Sequence, residues 1–145
     1  MIKLNGVLHF SIVVSDLDRS RTFYTELLGL TFVAAPPGSE MVFLRAGSDH
    51  VILCRSEDGR RPVSAAAGTR IHHAFHVDPG HYDEAKALLQ SRKVEVLFEE
   101  NRTAGVFVGR QFYFHDPDGN VLEISECVPP ALPPDRVHQP PIDNS

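Results

Sequence analysis

Residues 7–28, VLHFSIVVSDLDRSRTFYTELL, decide the fold. Their first eight residues are rich in β-branched and aromatic side chains, which suits a strand, and Asp16 then offers a carboxylate to start a helix. Leu17, Ser20, Tyr24, Leu27 and Leu28 fall at helical spacing, and Gly29 is a natural stop. Strand-like runs follow near 30–35, 41–46 and 50–55, separated by Pro36-Pro37-Gly38 and by Gly47-Ser48-Asp49. The order is one strand, one helix and three strands.

The same order then returns. Residues 70–77, RIHHAFHV, read as a strand, and Asp78-Pro79 opens a helix carrying Tyr82, Ala85, Leu88 and Leu89. Runs at 94–98, 106–115 and 120–126 supply three more strands. His9 and His72 each open a strand, and Asp16 and Asp78 each open the helix behind it. The expectation is a repeated βαβββ unit, with modules of about 5–56 and 69–127 in one domain over residues 1–127. The stretch from Ser56 to Thr69 lacks periodicity and reads as the connection between them. Residues 128–145 hold six prolines and no alternation, so they suit neither a ladder nor a helix. They form a tail expected to wrap over the domain or a partner, or to stay disordered.

The bulk properties agree with one compact domain. A chain of 145 residues with 42% hydrophobic content has enough apolar surface for one core. The net charge of -5, with no basic run, gives no footprint for phosphate backbones or anionic lipid, so neither nucleic acid nor a membrane is expected as partner. No apolar run reaches the ~20 residues of a spanning helix, and MIKLNGVLHFSIVVSD reads as a first strand, not a signal peptide. Cys54 and Cys127 fit no CxxC pattern and read as reduced thiols. A cytoplasmic protein is the expectation.

Alternation along the strands separates core from site. Leu8, Phe10, Ile12 and Val14 make an apolar face, opposite His9, Ser11 and Val13. Ile71, His73, Phe75 and Val77 oppose His72, Ala74 and His76, while Leu122 and Ile124 oppose Val121, Glu123 and Ser125. Three strands thus carry a metal-capable side chain on the face away from the helices: His9, His72 and Glu123. A single strand histidine is usually just hydrogen-bonded, but three such groups at matching positions suggest a site. Two imidazoles and a carboxylate suit one divalent ion of Fe, Mn, Zn, Ni or Co, with positions left open for substrate oxygens.

The stretch LHFSIVVSDLDRSRTFYTELLGL resembles the opening of vicinal oxygen chelate proteins, the superfamily of glyoxalase I, bleomycin-resistance proteins, fosfomycin-resistance enzymes and extradiol dioxygenases. FYFHDPDGNVLEI is similar to their closing signature, a turn and a strand bearing the metal-binding glutamate. The resemblance covers about residues 5–127. It implies an α+β fold of two βαβββ modules forming an open, curved mixed sheet, with helices outside and often in a homodimer. It also implies the ligands His9, His72 and Glu123, with His73 on the apolar side. The turn HDPDGN has a structural reading of its own, because Asp116-Pro117 starts a turn and Gly119 accepts positive φ.

Within that resemblance, a glyoxalase I site needs a second glutamate on the fourth strand. Alternation there turns Val51, Leu53 and Arg55 toward the site and makes Leu53 the matching position, so the second carboxylate is absent. Extradiol dioxygenases share the two-His, one-Glu set and a tyrosine matching Tyr113, but TAGVFVGRQ lacks their further histidine. Fosfomycin-modifying enzymes also use His, His and Glu, and ENRT before FYFHDPDGN is similar to theirs, although Glu99 stands where they carry a lysine.

The shared chemistry is chelation of adjacent substrate oxygens by the metal, serving a lyase, a dioxygenase, or thiol or water addition. Tyr113 is the candidate donor to a developing anion, and His76 or His115 the candidate general base. Ser11, Leu53, Arg55, Arg70 and Arg102 are the candidate substrate contacts, and Arg110 is a further cation for a substrate carboxylate. A metal-free protein that sequesters a drug in the same groove, as bleomycin-resistance proteins do, is the alternative.

Overall fold

The computed structural model describes residues 1–58 and 71–128. Most of the connection between the modules, with Arg70, and nearly all of the proline-rich tail lie outside the described residues. The first module runs β1 (His9–Val14), α1 (Leu17–Thr22), β2 (Thr31–Ala34), β3 (Met41–Ala46) and β4 (Asp49–Arg55). The second runs β5 (His72–His76), α2 (Tyr82–Ser91), β6 (Val96–Arg102), β7 (Gly109–His115) and β8 (Val121–Ser125). Each module builds one four-stranded mixed sheet, ordered β1-β4-β3-β2 and β5-β8-β7-β6. In both, the first strand pairs parallel with the last, and the other neighbours are antiparallel.

Local chemistry explains the boundaries. Asp16 is extended, and its carboxylate accepts from the Arg19 backbone N–H at 2.9 Å, capping α1. The helix continues through a wider π turn over Phe23–Leu27 and stops at Gly29, whose φ of +77° suits only glycine well. In the second module Pro79 instead opens a short 3-10 turn before α2, and the Asp78 side chain caps nothing. Its carbonyl closes that turn by accepting from His81 N–H at 2.8 Å. Helix α2 buries Tyr82 and Leu89 and leaves Leu88 exposed, because ten residues present only a narrow apolar stripe. Leu8 and Ile71, expected on the core faces, precede β1 and β5 and are exposed.

One core spans both modules. Ile12, Val14, Tyr24, Leu44 and Leu53 from the first join Tyr82, Leu89, Phe112, Phe114 and Leu122 from the second. Phe10 stacks on the His73 ring with centroids 5.0 Å apart, placing His73 on the core side. Burial, followed by the neighbouring His72, lowers the pKa of His73.

The HDPDGN turn couples the modules. Asp118, buried, accepts from Ser15 N–H at 3.1 Å, from the Ser15 hydroxyl and from Arg19 Nη2 at 2.9 Å. Asp116 accepts from the buried Tyr24 hydroxyl at 2.9 Å and from the backbone N–H groups of Asp118 and Asn120. The Asn120 amide donates back to Val13 carbonyl at 3.0 Å. The turn therefore closes itself and fastens the end of β7 and start of β8 to the end of β1 and the start of α1.

Candidate functional site

Parallel pairing sets the faces. Residues in register on adjacent strands point the same way, and β5 and β8 match Ala74 with Glu123 and His76 with Ser125. On β7, Tyr113 matches Glu123 and Gln111 matches Ser125. His72, Ala74, His76, Glu123, Ser125, Tyr113 and Gln111 thus share the face away from the core. Together with Arg102, Phe107 and Cys127 they line a cleft of about 520 Å³.

At its floor His72 Nε2 stands 3.1 Å from Glu123 Oε2, and Glu123 is buried. Neighbouring positions around a six-coordinate ion with bonds of about 2.1 Å lie about 3.0 Å apart, so the pair has the spacing of two ligands of one ion. A buried carboxylate also needs a positive partner, which a divalent ion would supply. An imidazole and a carboxylate are both donor types that divalent ions accept, and this chain brings two of them together here.

Tyr113 is buried beside them, its ring edge-on to His72 with centroids 5.4 Å apart and stacked on Phe98 at 4.2 Å. Burial first, then the hydrogen bond and charge of Glu123, raise its pKa, so the phenol keeps its proton. Arg102 is the only Arg or Lys among the described residues lining the cleft, and its Nε donates to Glu100 Oε2 at 2.8 Å.

Several other expected residues separate from this cluster. His9 and Ser11 are exposed on the matching face of the first module, and no three His, Cys, Asp or Glu side chains among the described residues of one chain form a metal-binding group. His76 lines the cleft, whereas His115 lines a separate groove with Phe23, Lys93 and Pro117. Glu99 turns to the helix side, where it accepts from the Tyr82 hydroxyl at 2.9 Å and pairs with Lys86.

Leu53 and Arg55 require a correction. The register sets Ser11 beside Ile52 and Ile12 beside Leu53, so Val51, Leu53 and Arg55 belong to the core face of β4. Leu53 is fully buried in the core, and Arg55 pairs with Glu40 at 3.2 Å. An isolated VILC is apolar on both faces, so alternation alone does not set its phase and pairing with β1 does. Ile52, not Leu53, answers to Glu123. Arg110 also leaves the site, since Asp83 and Glu126 engage its guanidinium.

The sequence reading missed Gln111, Glu100 and Cys127. Counting back two residues from Tyr113 would have found Gln111. The Glu100 contact depends on how β6 pairs with β7 beyond the irregularity between Val96 and Phe98, which sequence does not encode plainly.

Comparison with known proteins agrees with this architecture. Residues 6–124 match the family model of the Glyoxalase/Bleomycin resistance protein/Dioxygenase superfamily. The chain is 33% identical over 121 residues to glutathione transferase FosA of Serratia marcescens, covering 83% of this chain and 80% of that protein. It is 26% identical over 131 residues to Glyoxylase I 4 of Arabidopsis thaliana, covering 87% and 73% of the two. The solved structure of the fosfomycin resistance protein FosX from Listeria monocytogenes shares the fold, with a TM-score of 0.71 at 20% identity over 87% of this chain and 94% of that one. A mutant of that FosX has been solved in complex with Mn(II) and a dihydroxypropylphosphonic acid, and shares the fold with a TM-score of 0.68 at 21% identity over 87% and 93% of the two chains. With a family model spanning most of its length, this chain belongs to the glyoxalase, bleomycin resistance protein and dioxygenase superfamily.

Proposed function

We propose that this chain is a divalent-metal-dependent enzyme whose small substrate offers two adjacent oxygens to one ion. The ion would be held by His72, Glu123 and, in a homodimer, His9 of the partner subunit. The observation that carries this reading is the 3.1 Å pair of His72 Nε2 and Glu123 Oε2 at the floor of a 520 Å³ cleft. The exposed face of the first module supports the dimer. There His9, Ser11, Val13 and Met41 share one side and await a cover, and Val13 and Met41 are 40% and 38% exposed.

A bound divalent ion contributes Lewis acidity to the substrate oxygens. The chain does the rest. Arg102 draws an anionic substrate group to the mouth of the cleft. Tyr113, held protonated, acts as a hydrogen-bond donor and not as a base. His76 Nδ1 or Nε2 takes the proton of an incoming thiol or water. Among the reactions open to this superfamily, thiol or water addition draws support from the 33% identity to a glutathione transferase. Glyoxalase I chemistry lacks its fourth ligand, because Ile52 occupies that position.

Metal analysis of the purified protein, stripped and reloaded with Fe(II), Mn(II), Ni(II) and Zn(II), tests the reading beside Glu123→Ala. Close to one ion per chain, lost in the variant, is the expected result. The apolar side chains of Ala74 and Phe107 in the cleft favour a second reading, a metal-free drug-binding protein. Absence of metal under every loading would establish that instead.

A further inference from the structure

Gln111 is 2% exposed on the wall of the cleft, where a polar amide must satisfy every hydrogen-bonding group. Its Nε2 donates to Glu100 Oε2 at 3.0 Å and to the Tyr113 hydroxyl at 3.2 Å. Its Oε1 accepts from Cys127 Sγ at 3.4 Å. A carboxylate only accepts, so Glu100 fixes which end of the amide faces it. The same nitrogen then has its second N–H for Tyr113. A phenol that accepts from Gln111 retains its single proton for another partner, and Glu123, its register partner on β8, stands beside it on the same face. Arg102 Nε anchors the far end of this chain on Glu100.

We propose that Gln111 is a positioning residue: by donating to the Tyr113 hydroxyl it directs that proton to Glu123 and so orients the carboxylate that would ligate the metal. The row Arg102, Glu100, Gln111, Tyr113, Glu123 and His72 crosses β6, β7, β8 and β5 in order. A substrate anion taken up by Arg102 would loosen Glu100 and, through Gln111, the hydroxyl. This inference rests on the metal-site reading for its consequence, but the polarity of the hydrogen bonds does not.

Two arms test it. In the metal-free protein carrying ring-labelled tyrosine, the infrared C–O stretch of Tyr113 is isolated by subtracting the spectrum of Tyr113→Phe. Gln111→Met, equal in length and without a donor, shifts that band as the accepted hydrogen bond is lost. Glu100→Gln, at a partly exposed position that spares the fold, shifts it in the same direction by freeing the amide to turn. A band unmoved in both variants overturns the proposal. In the second arm, Mn(II) affinity is read by electron paramagnetic resonance. Gln111→Met and Tyr113→Phe each weaken it roughly tenfold, as loss of an outer-shell partner does, and the double variant is no weaker than Tyr113→Phe alone. Wild-type affinity in Gln111→Met, or losses that multiply in the double variant, overturn the proposal. If the wild-type protein binds no Mn(II), the metal reading fails and the infrared arm alone decides whether Gln111 directs the phenol.

Discussion

Ile52 stands beside Ser11 in the first module as Glu123 stands beside Ala74 in the second, the two positions related by the repeat. One carries a carboxylate and the other a hydrocarbon, so a two-fold pattern of strands presents a carboxylate on one side only. Ile52→Glu would place a carboxylate at a site now 8% exposed. Without metal, the uncompensated charge costs about 2–4 kcal/mol of stability. Loading with Ni(II) or Zn(II) restores most of that loss and tightens metal binding, readable as a rise in thermal midpoint. A variant equally destabilised with and without metal would place Ile52 away from the ion.

Asp118 holds the modules together through three donors, and its side chain is 2% exposed while that of Arg19 is 48% exposed. Asp118→Ala leaves Ser15 and Arg19 without their acceptor, and an expected loss of about 2–3 kcal/mol follows from hydrogen bonds to a charged group. Arg55→Ala, which breaks only an exposed pair with Glu40, costs under about 1 kcal/mol. Urea unfolding curves separate the two, and equal losses would show that the turn does not couple the modules.

Tyr24 links α1 to Asp116 and has its pKa raised, first by burial and then by the Asp116 charge. The folded chain thus retains a proton that the unfolded chain releases above its ordinary value of 10.0. This contribution to stability is complete below pH 10 and declines as pH rises beyond it. Tyr24→Phe loses about 1–2 kcal/mol at pH 8 for the missing hydrogen bond, yet its stability falls less steeply above pH 10. Tyr82 and Tyr113 are raised as well, so part of the alkaline slope persists in the variant. Parallel decline of the two proteins would mean that Tyr24 ionises no later when folded.

The repeat was legible because strand and helix periodicities switch twice in the same order, and Asp16, Gly29 and Pro79 act through local rules. That His72 and Glu123 share one face was legible for a similar reason. Their neighbours Phe75, Leu122 and Ile124 fix the phase of the strand, leaving the opposite face to chemistry. Leu53 and Arg55 failed because Val51, Ile52, Leu53 and Cys54 carry no alternation, and only pairing with β1 sets their phase. Gln111 and Glu100 stayed hidden because their meaning lies in cross-strand hydrogen bonds. The distance of His9 from His72 and Glu123 follows from how two modules pack, which no local pattern records.

That separation is the most direct handle on the site. Chains carrying His9→Ala and chains carrying Glu123→Ala, co-expressed with different affinity tags, give mixed dimers that can be purified and analysed for metal. A site shared between two copies predicts that neither variant alone binds the ion, while the mixed dimer restores one site and binds one ion per dimer. A mixed dimer as empty as its parents, beside a wild-type protein that holds metal, would contradict it.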